Sequence, residues 1–148
     1  TGRPAPLSPG EVFWSHYMDE SNAPLYPFGY GLSYTTFEYS DLEIDASDAD
    51  AIRVQVTVKN IGQVAGEEVV QLYLQDPAAS VVRPVKELKG FEKISLEAGA
   101  SQTVEFTLTE KELGFYDNQG QFIVEPGAFN IMVGTSSSEG LTGQFELD

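Results

Sequence analysis

The chain of 148 residues carries 23 acids against 8 bases, a formal net charge of −15. A surface of that sign repels phosphate backbones and anionic lipid, which argues against nucleic-acid and membrane-surface partners. Hydrophobic residues make up 41%, enough for one domain with a sizeable core plus a tail. No apolar run approaches the length of a membrane-spanning helix. Cysteine is absent, so disulfides, thiolate nucleophiles and thiolate metal sites are excluded. The opening Thr1-Gly2-Arg3-Pro4 lacks the charged-then-apolar pattern of a secretory leader, which leaves the compartment open.

Residues 1–36 read as a strap. Five of the eight prolines fall there (Pro4, Pro6, Pro9, Pro24, Pro27), with the single tryptophan, Trp14, and the single histidine, His16. Proline at that density prevents regular helices and central strands. The segment is nonetheless rich in rings and aliphatics, among them Phe13, Tyr17, Leu25, Tyr26, Phe28, Tyr30, Leu32 and Tyr34. A flexible linker would be rich in glycine and serine instead. The expectation is an extended segment whose aromatic side is covered by something that need not belong to this chain.

From residue 37 to 148 the pattern has period two. Val54, Val56 and Val58 alternate with polar residues, as do Val70, Leu72 and Leu74 against Gln71, Tyr73 and Gln75. Val104, Phe106 and Leu108 form a further row, then Phe129, Ile131 and Val133, then Leu141, Phe145 and Leu147. Phe37 and Tyr39 have one parity and Leu42 and Ile44 the other, which predicts a bulge near Ser40-Asp41. A second slip is expected around Gly90-Phe91. Turns are predicted at Asn60-Ile61-Gly62, Glu97-Ala98-Gly99, Asn118-Gln119-Gly120 and Glu125-Pro126-Gly127, where Gly or Asn makes positive φ cheap. One helical turn is expected after Thr109 as cap, ending at Leu113. About seven short strands without long helical periods predict an all-β antiparallel sandwich, fibronectin type III-like or immunoglobulin-like. The missing cysteine pair and core tryptophan favour the fibronectin type.

Chemistry is sparse. A glycosidase dyad needs two carboxylates facing one another across a sugar, and most acids here, such as Glu105 and Glu146, fall on outward strand positions or in turns. A Ser-His-Asp arrangement would have to use His16, yet no nucleophile-elbow glycine pattern accompanies it. The acidic run Asp41, Glu43, Asp45, Asp48, Asp50 fails the EF-hand register, and its alternation suits a charged strand edge. No metal and no cofactor is expected. Tyr26-Pro27-Phe28-Gly29-Tyr30 leaves three readings open: rings packed on the sandwich and a neighbouring domain, a weak polysaccharide-stacking platform of Tyr26, Phe28 and Tyr30, or a contact between copies.

Several strings resemble a known family. Leu25-Tyr26-Pro27-Phe28-Gly29-Tyr30-Gly31-Leu32-Ser33-Tyr34-Thr35-Thr36-Phe37 is similar to the junction before the C-terminal domain of glycoside hydrolase family 3 β-glucosidases. Arg83-Pro84-Val85-Lys86-Glu87-Leu88-Lys89-Gly90-Phe91, the Val69-Val70-Gln71-Leu72-Tyr73 core and Val124-Glu125-Pro126-Gly127 resemble that domain itself. Phe122 stands where relatives often have tryptophan, and Glu97-Ala98-Gly99 lacks a frequent proline. The resemblance implies a non-catalytic fibronectin type III-like domain, with the nucleophile and acid/base residues in preceding domains, so no catalytic residue is assigned here. It further implies docking on those catalytic domains, with Trp14, Tyr17, Tyr26, Phe28, Tyr30, Tyr34 and Arg83 as interdomain candidates, and a periplasmic or secreted parent. Arg83 is chosen because its rigid fork suits a carboxylate or carbonyl partner.

Overall fold

A computed structural model describes residues 23–148; the positions read above at Trp14, His16 and Tyr17 lie outside them. Each alternating run becomes a strand, because period-two patterning can bury a row of side chains only from an extended backbone. In chain order these are β1 (Phe37–Asp45), β2 (Ile52–Asn60), β3 (Gly66–Gln75), β4 (Glu87–Leu96) and β5 (Ser101–Leu108). The single turn α1 (Glu110–Leu113) follows, then β6 (Phe115–Tyr116), β7 (Phe122–Ile123), β8 (Gly127–Gly134) and β9 (Leu141–Leu147). A three-stranded sheet in the order β1-β2-β5 faces a four-stranded sheet in the order β4-β3-β8-β9, and β6 and β7 form a small pair of their own. All pairings are antiparallel. The seven strands of the two large sheets are those of a fibronectin type III-like sandwich.

The core lies between the sheets. Ile52, Val54, Val56 and Val58 meet Val70, Leu72, Leu74, Ile131 and Val133, all essentially solvent-free. Phe129 and Phe145 sit opposite one another on β8 and β9 with ring centroids 5.3 Å apart and planes nearly parallel. Each such side chain contributes about 1.5–3 kcal/mol on burial, which makes the alternating rows the main stabilising term.

Both expected bulges are present. On β1 the register shifts between Ser40 and Glu43, with Asp41 at φ 52°. That left-handed residue is tolerated because a short acidic side chain bonds locally, here accepting from Ser40 Oγ at 2.8 Å. The slip lets Phe37 and Tyr39 before it, and Leu42 and Ile44 after it, all reach the core. On β4 the register shifts between the partners of Leu72 and Tyr73, which are Gly90 and Leu88. Gly90 is required there, since a Cβ would stand 2.8 Å from the Phe106 ring of the opposing sheet.

The turns follow their chemistry with one correction. Gly99, Gly120 and Gly127 adopt positive φ, but Gly62 does not. Gly62 is needed for space instead, because a Cβ would collide with the Thr35 hydroxyl. The helical turn is capped by Thr109, whose backbone N–H and hydroxyl both donate to Glu112 Oε2 at 2.9 and 2.7 Å. The segment before β1 is already tied in, since Thr36 O accepts from the Ile61 N–H at 2.9 Å. Thr35 Oγ1 donates at 2.6 Å to Oδ1 of Asn60, which has no exposure. That Oδ1 also accepts from the Gly62 N–H, while Asn60 Nδ2 donates to the Val64 and Leu96 carbonyls. The carboxamide thereby uses its whole hydrogen-bonding capacity inside the protein.

Candidate functional site

The outer face of the four-stranded sheet holds the least expected burial. On β3 the outward positions are Val69, Gln71, Tyr73 and Gln75, opposite the core row of Val70, Leu72 and Leu74. Alternation predicts that they meet solvent, yet Gln71 is 5% and Tyr73 2% exposed. Their cover is backbone. Residues 27–30 turn across the sheet, closed by the Tyr30 N–H donating to Pro27 O at 3.0 Å, with Gly29 at φ 80° as the third position of such a turn requires. Gln71 Nε2 donates to Gly29 O at 3.0 Å and to Thr135 O at 2.6 Å. Tyr73 Oη donates to Gln71 Oε1 at 2.5 Å and lies 3.4 Å from Phe28 O. The Ser137 N–H from the β8–β9 turn donates to Phe28 O at 2.8 Å. Burial pushes the Tyr73 phenol above its ordinary value.

Only glycine permits this seat, because a Cβ on residue 29 would collide with the Gln71 carboxamide. Residues 28–30 therefore lie against the sandwich through their main chain. The large side chains between residues 25 and 34 are exposed instead. Tyr26 is 68% exposed and Phe28 67%, while Tyr30, Leu32 and Tyr34 are also exposed. Tyr26 and Tyr30 touch with ring centroids 5.3 Å apart and planes tilted by 43°, which does not make one flat stacking surface.

The rings continue onto the sheet. Tyr30, Leu32 and Val69 line a shallow hollow of about 340 Å³ between strap and sheet. Phe91, exposed on β4, is paired in register with Gln71 and so stands beside it. Glu67 and Glu68 also line the hollow, and each is tied: Glu67 pairs with Lys93 Nζ at 2.6 Å, and Glu68 accepts from Tyr39 Oη at 3.3 Å. Burial raises the Glu68 carboxyl above its ordinary value, against the opposing bond from Tyr39. Burial likewise pushes the Tyr39 phenol well above the usual range, with the Glu68 charge adding to it.

Arg83 sits apart, in the loop between β3 and β4. Its Nε and Nη2 donate to Glu87 Oε1 at 3.1 and 2.7 Å, and its guanidinium carbon lies 4.7 Å from the Phe115 ring centroid. Its Nη1 and Asp76 Oδ2 face one another at 3.9 Å, each buried without a hydrogen-bond partner. Burial raises the Glu87 carboxyl, but bonds from Lys89 and Arg83 outweigh that and hold it below its ordinary value. The fork is engaged within the domain, where it orders the loop that carries fully exposed Val82. The acidic run of β1 is spent locally: Asp45 Oδ1 accepts from the Ser47 N–H and Asp48 Oδ1 from the Asp50 N–H. Among the described residues no three acids or histidines come close enough to hold a metal.

Thus the structure brings Tyr26 and Tyr30 into contact, leaves Phe28 and Tyr34 exposed nearby in the chain, and holds Arg83 in a separate loop. Sequence reasoning did not single out exposed Val69 and Phe91, nor Gln71 and Tyr73 as the seat beneath residues 28–30. An outward aromatic on the bulged strand, Phe91, was the available signal.

Comparison with known proteins matches this geometry. A family model described as a fibronectin type III-like domain matches residues 68–137. The chain is 45% identical to a periplasmic β-glucosidase of Salmonella typhimurium, over 99% of this chain and 20% of that protein. It is 44% identical to a putative β-xylosidase of Formosa agariphila, over 96% of this chain and 20% of that protein. A crystal structure of the β-glucosidase from Listeria innocua in complex with isofagomine aligns with a TM-score of 0.88 and 47% identity, covering 99% of this chain and 21% of that one. The chain therefore spans about a fifth of the length of these relatives. Its strand order and these matches show a fibronectin type III-like domain, similar to the one carried by glycoside hydrolase family 3 β-glucosidases.

Proposed function

We propose that the chain is a non-catalytic accessory domain that docks on the catalytic domains of a larger β-glucosidase or β-xylosidase and stabilises them. One observation carries this reading: the strap is fixed to the sandwich by its backbone while Tyr26, Phe28, Tyr30 and Leu32 remain in water. Rings held in place but uncovered are pre-ordered for a partner, because residues 27–30 have already lost their conformational entropy before docking. Val69 lines a hollow with Tyr30 and Leu32, and Phe91 is exposed on the same sheet, and exposed apolar groups gathered in this way mark interaction sites. Tyr34 belongs to the same docking set, and Arg83 serves it by holding its loop in shape. Trp14 and Tyr17 complete the set on the strap's first part.

In this reading the parent is periplasmic or secreted, in line with the periplasmic β-glucosidase among the relatives. Grafting tests it. Removing the corresponding segment from the Salmonella enzyme is expected to leave an insoluble or inactive protein, and this chain in its place to restore activity on an aryl β-glucoside. The isolated chain is expected to show no turnover. A truncated enzyme that stays folded and fully active contradicts the stabilising role.

A further inference from the structure

Beyond the strap, the outer sheet face changes character. Register places Gln75 of β3 opposite Asn130 of β8, and Asn130 opposite Gln144 of β9, so three carboxamides stand in one row across three strands. The next row is Tyr73, Met132 and Thr142. Together with Lys86 these residues line an open trough of about 450 Å³. Asn130 Nδ2 donates to Gln75 Oε1 at 3.1 Å, which aligns the first two amides, and Gln144 is exposed at the end of the row. Lys86 Nζ donates to Ser137 O at 2.7 Å and lies 3.5 Å from Met132 Sδ, at the edge of the trough. The lining holds no acid and a single cation, on a chain of net charge −15.

The chemistry of that strip selects its ligand. A carboxamide offers a paired acceptor and donor, which matches two adjacent hydroxyls, one donating and one accepting. Neighbouring strands lie about 4.8 Å apart, close to the length of one pyranose unit in an extended chain. Thr142, exposed beside Gln144, adds a hydroxyl, whereas Met132 and Tyr73 at 8% and 2% exposure only close the floor from below, so the ligand is held by hydrogen bonds and not by stacking. The single cation of the lining, Lys86, already donates to Ser137 O and no second cation joins it, so the lining is not built around an anion. We propose that this trough binds an extended, uncharged β-linked saccharide chain laid across the strands, with Gln75, Asn130 and Gln144 each holding a hydroxyl pair. This site is separate from the strap rings and does not depend on docking.

The test is titration of the isotope-labelled chain with xylohexaose and cellohexaose, followed by nuclear magnetic resonance, with α-linked maltohexaose for comparison. Saturable shifts of the Gln75, Asn130 and Gln144 side-chain amides are expected with the β-linked sugars, at least tenfold weaker with maltohexaose. Gln144→Ala, on an exposed side chain that leaves the core untouched, is expected to weaken binding at least tenfold. Tyr26→Ala with Tyr30→Ala should leave it unchanged. Absence of saturable shifts, shifts confined to the strap, or full affinity in Gln144→Ala overturns the proposal.

Discussion

The strap divides the outer face of the four-stranded sheet into two unlike halves. On one side Val69, Tyr30 and Leu32 line a hollow, and exposed Phe91 stands beside Gln71 on the neighbouring strand. On the other, Gln75, Asn130 and Gln144 make a neutral polar row. Both halves rest on the same strands and the same core, so the fold does not decide between them; the outward residues do. An apolar half of this kind is stable in water only at a cost and gains by being covered. An amide half is satisfied by water and can release it to a ligand. The lesson is that one sheet face can serve a permanent contact and a reversible one, provided something rigid separates them. Here that separator is a glycine turn pinned by Gln71 and Ser137.

Disturbing the separator or its supports should therefore affect the two halves differently. The largest effect is expected from Asn60→Ala, which strips partners from Thr35, Gly62, Val64 and Leu96 at once. A loss of about 4 kcal/mol in urea unfolding is predicted, because several buried groups are left unpaired together. Arg83→Met should cost about 3 kcal/mol, since it leaves the buried Asp76 carboxylate without its counter-charge. Neither half should survive the first change intact, whereas the second acts on the β3–β4 loop alone.

Gly29→Val forces a side chain into the Gln71 carboxamide at a positive φ. The strap should lift, at about 1–3 kcal/mol of strain. Hydrogen exchange is then predicted to accelerate at the Tyr30 and Ser137 amides, with the β2 amides of Val54, Val56 and Val58 unchanged. Equal acceleration throughout would mean that strap and sandwich are one cooperative unit. The smallest effects are those of pH, and they oppose one another. Glu87 is held below its ordinary value of 4.5, so its contribution is present above that value and is lost as pH falls through the depressed one. Glu68 is raised, so stability is lost as pH rises from 4.5 through the raised value. Glu87→Gln should flatten the acid limb, and Glu68→Gln should raise stability at neutral pH; melts across pH 3–8 (about that window) check both.

Much of the sandwich was legible because burial of a strand row leaves a period of two in the residues themselves. The parity slips at Ser40-Asp41 and Gly90-Phe91 gave both bulges for the same reason. The pair β6–β7 was not legible, since two residues carry no period; its Tyr116 and Phe122 rings meet edge to face at 5.2 Å instead. Alternation assigned Gln71 and Tyr73 to the outer face but could not show that a strap covers them. Asn60 read only as a turn residue, because its four side-chain bonds reach residues brought together by folding. The amide row needed the register of three strands, which single-strand patterns do not contain.

The most direct measurement compares one variant in two settings. Tyr26→Ser, Phe28→Ser and Tyr30→Ser are combined, and melting is followed in the isolated chain and in the chain grafted onto the catalytic part of a relative. Rings that wait for a partner predict an unchanged melting temperature in isolation and a fall of several degrees in the graft. Equal melting of variant and parent in the graft would contradict docking through these rings.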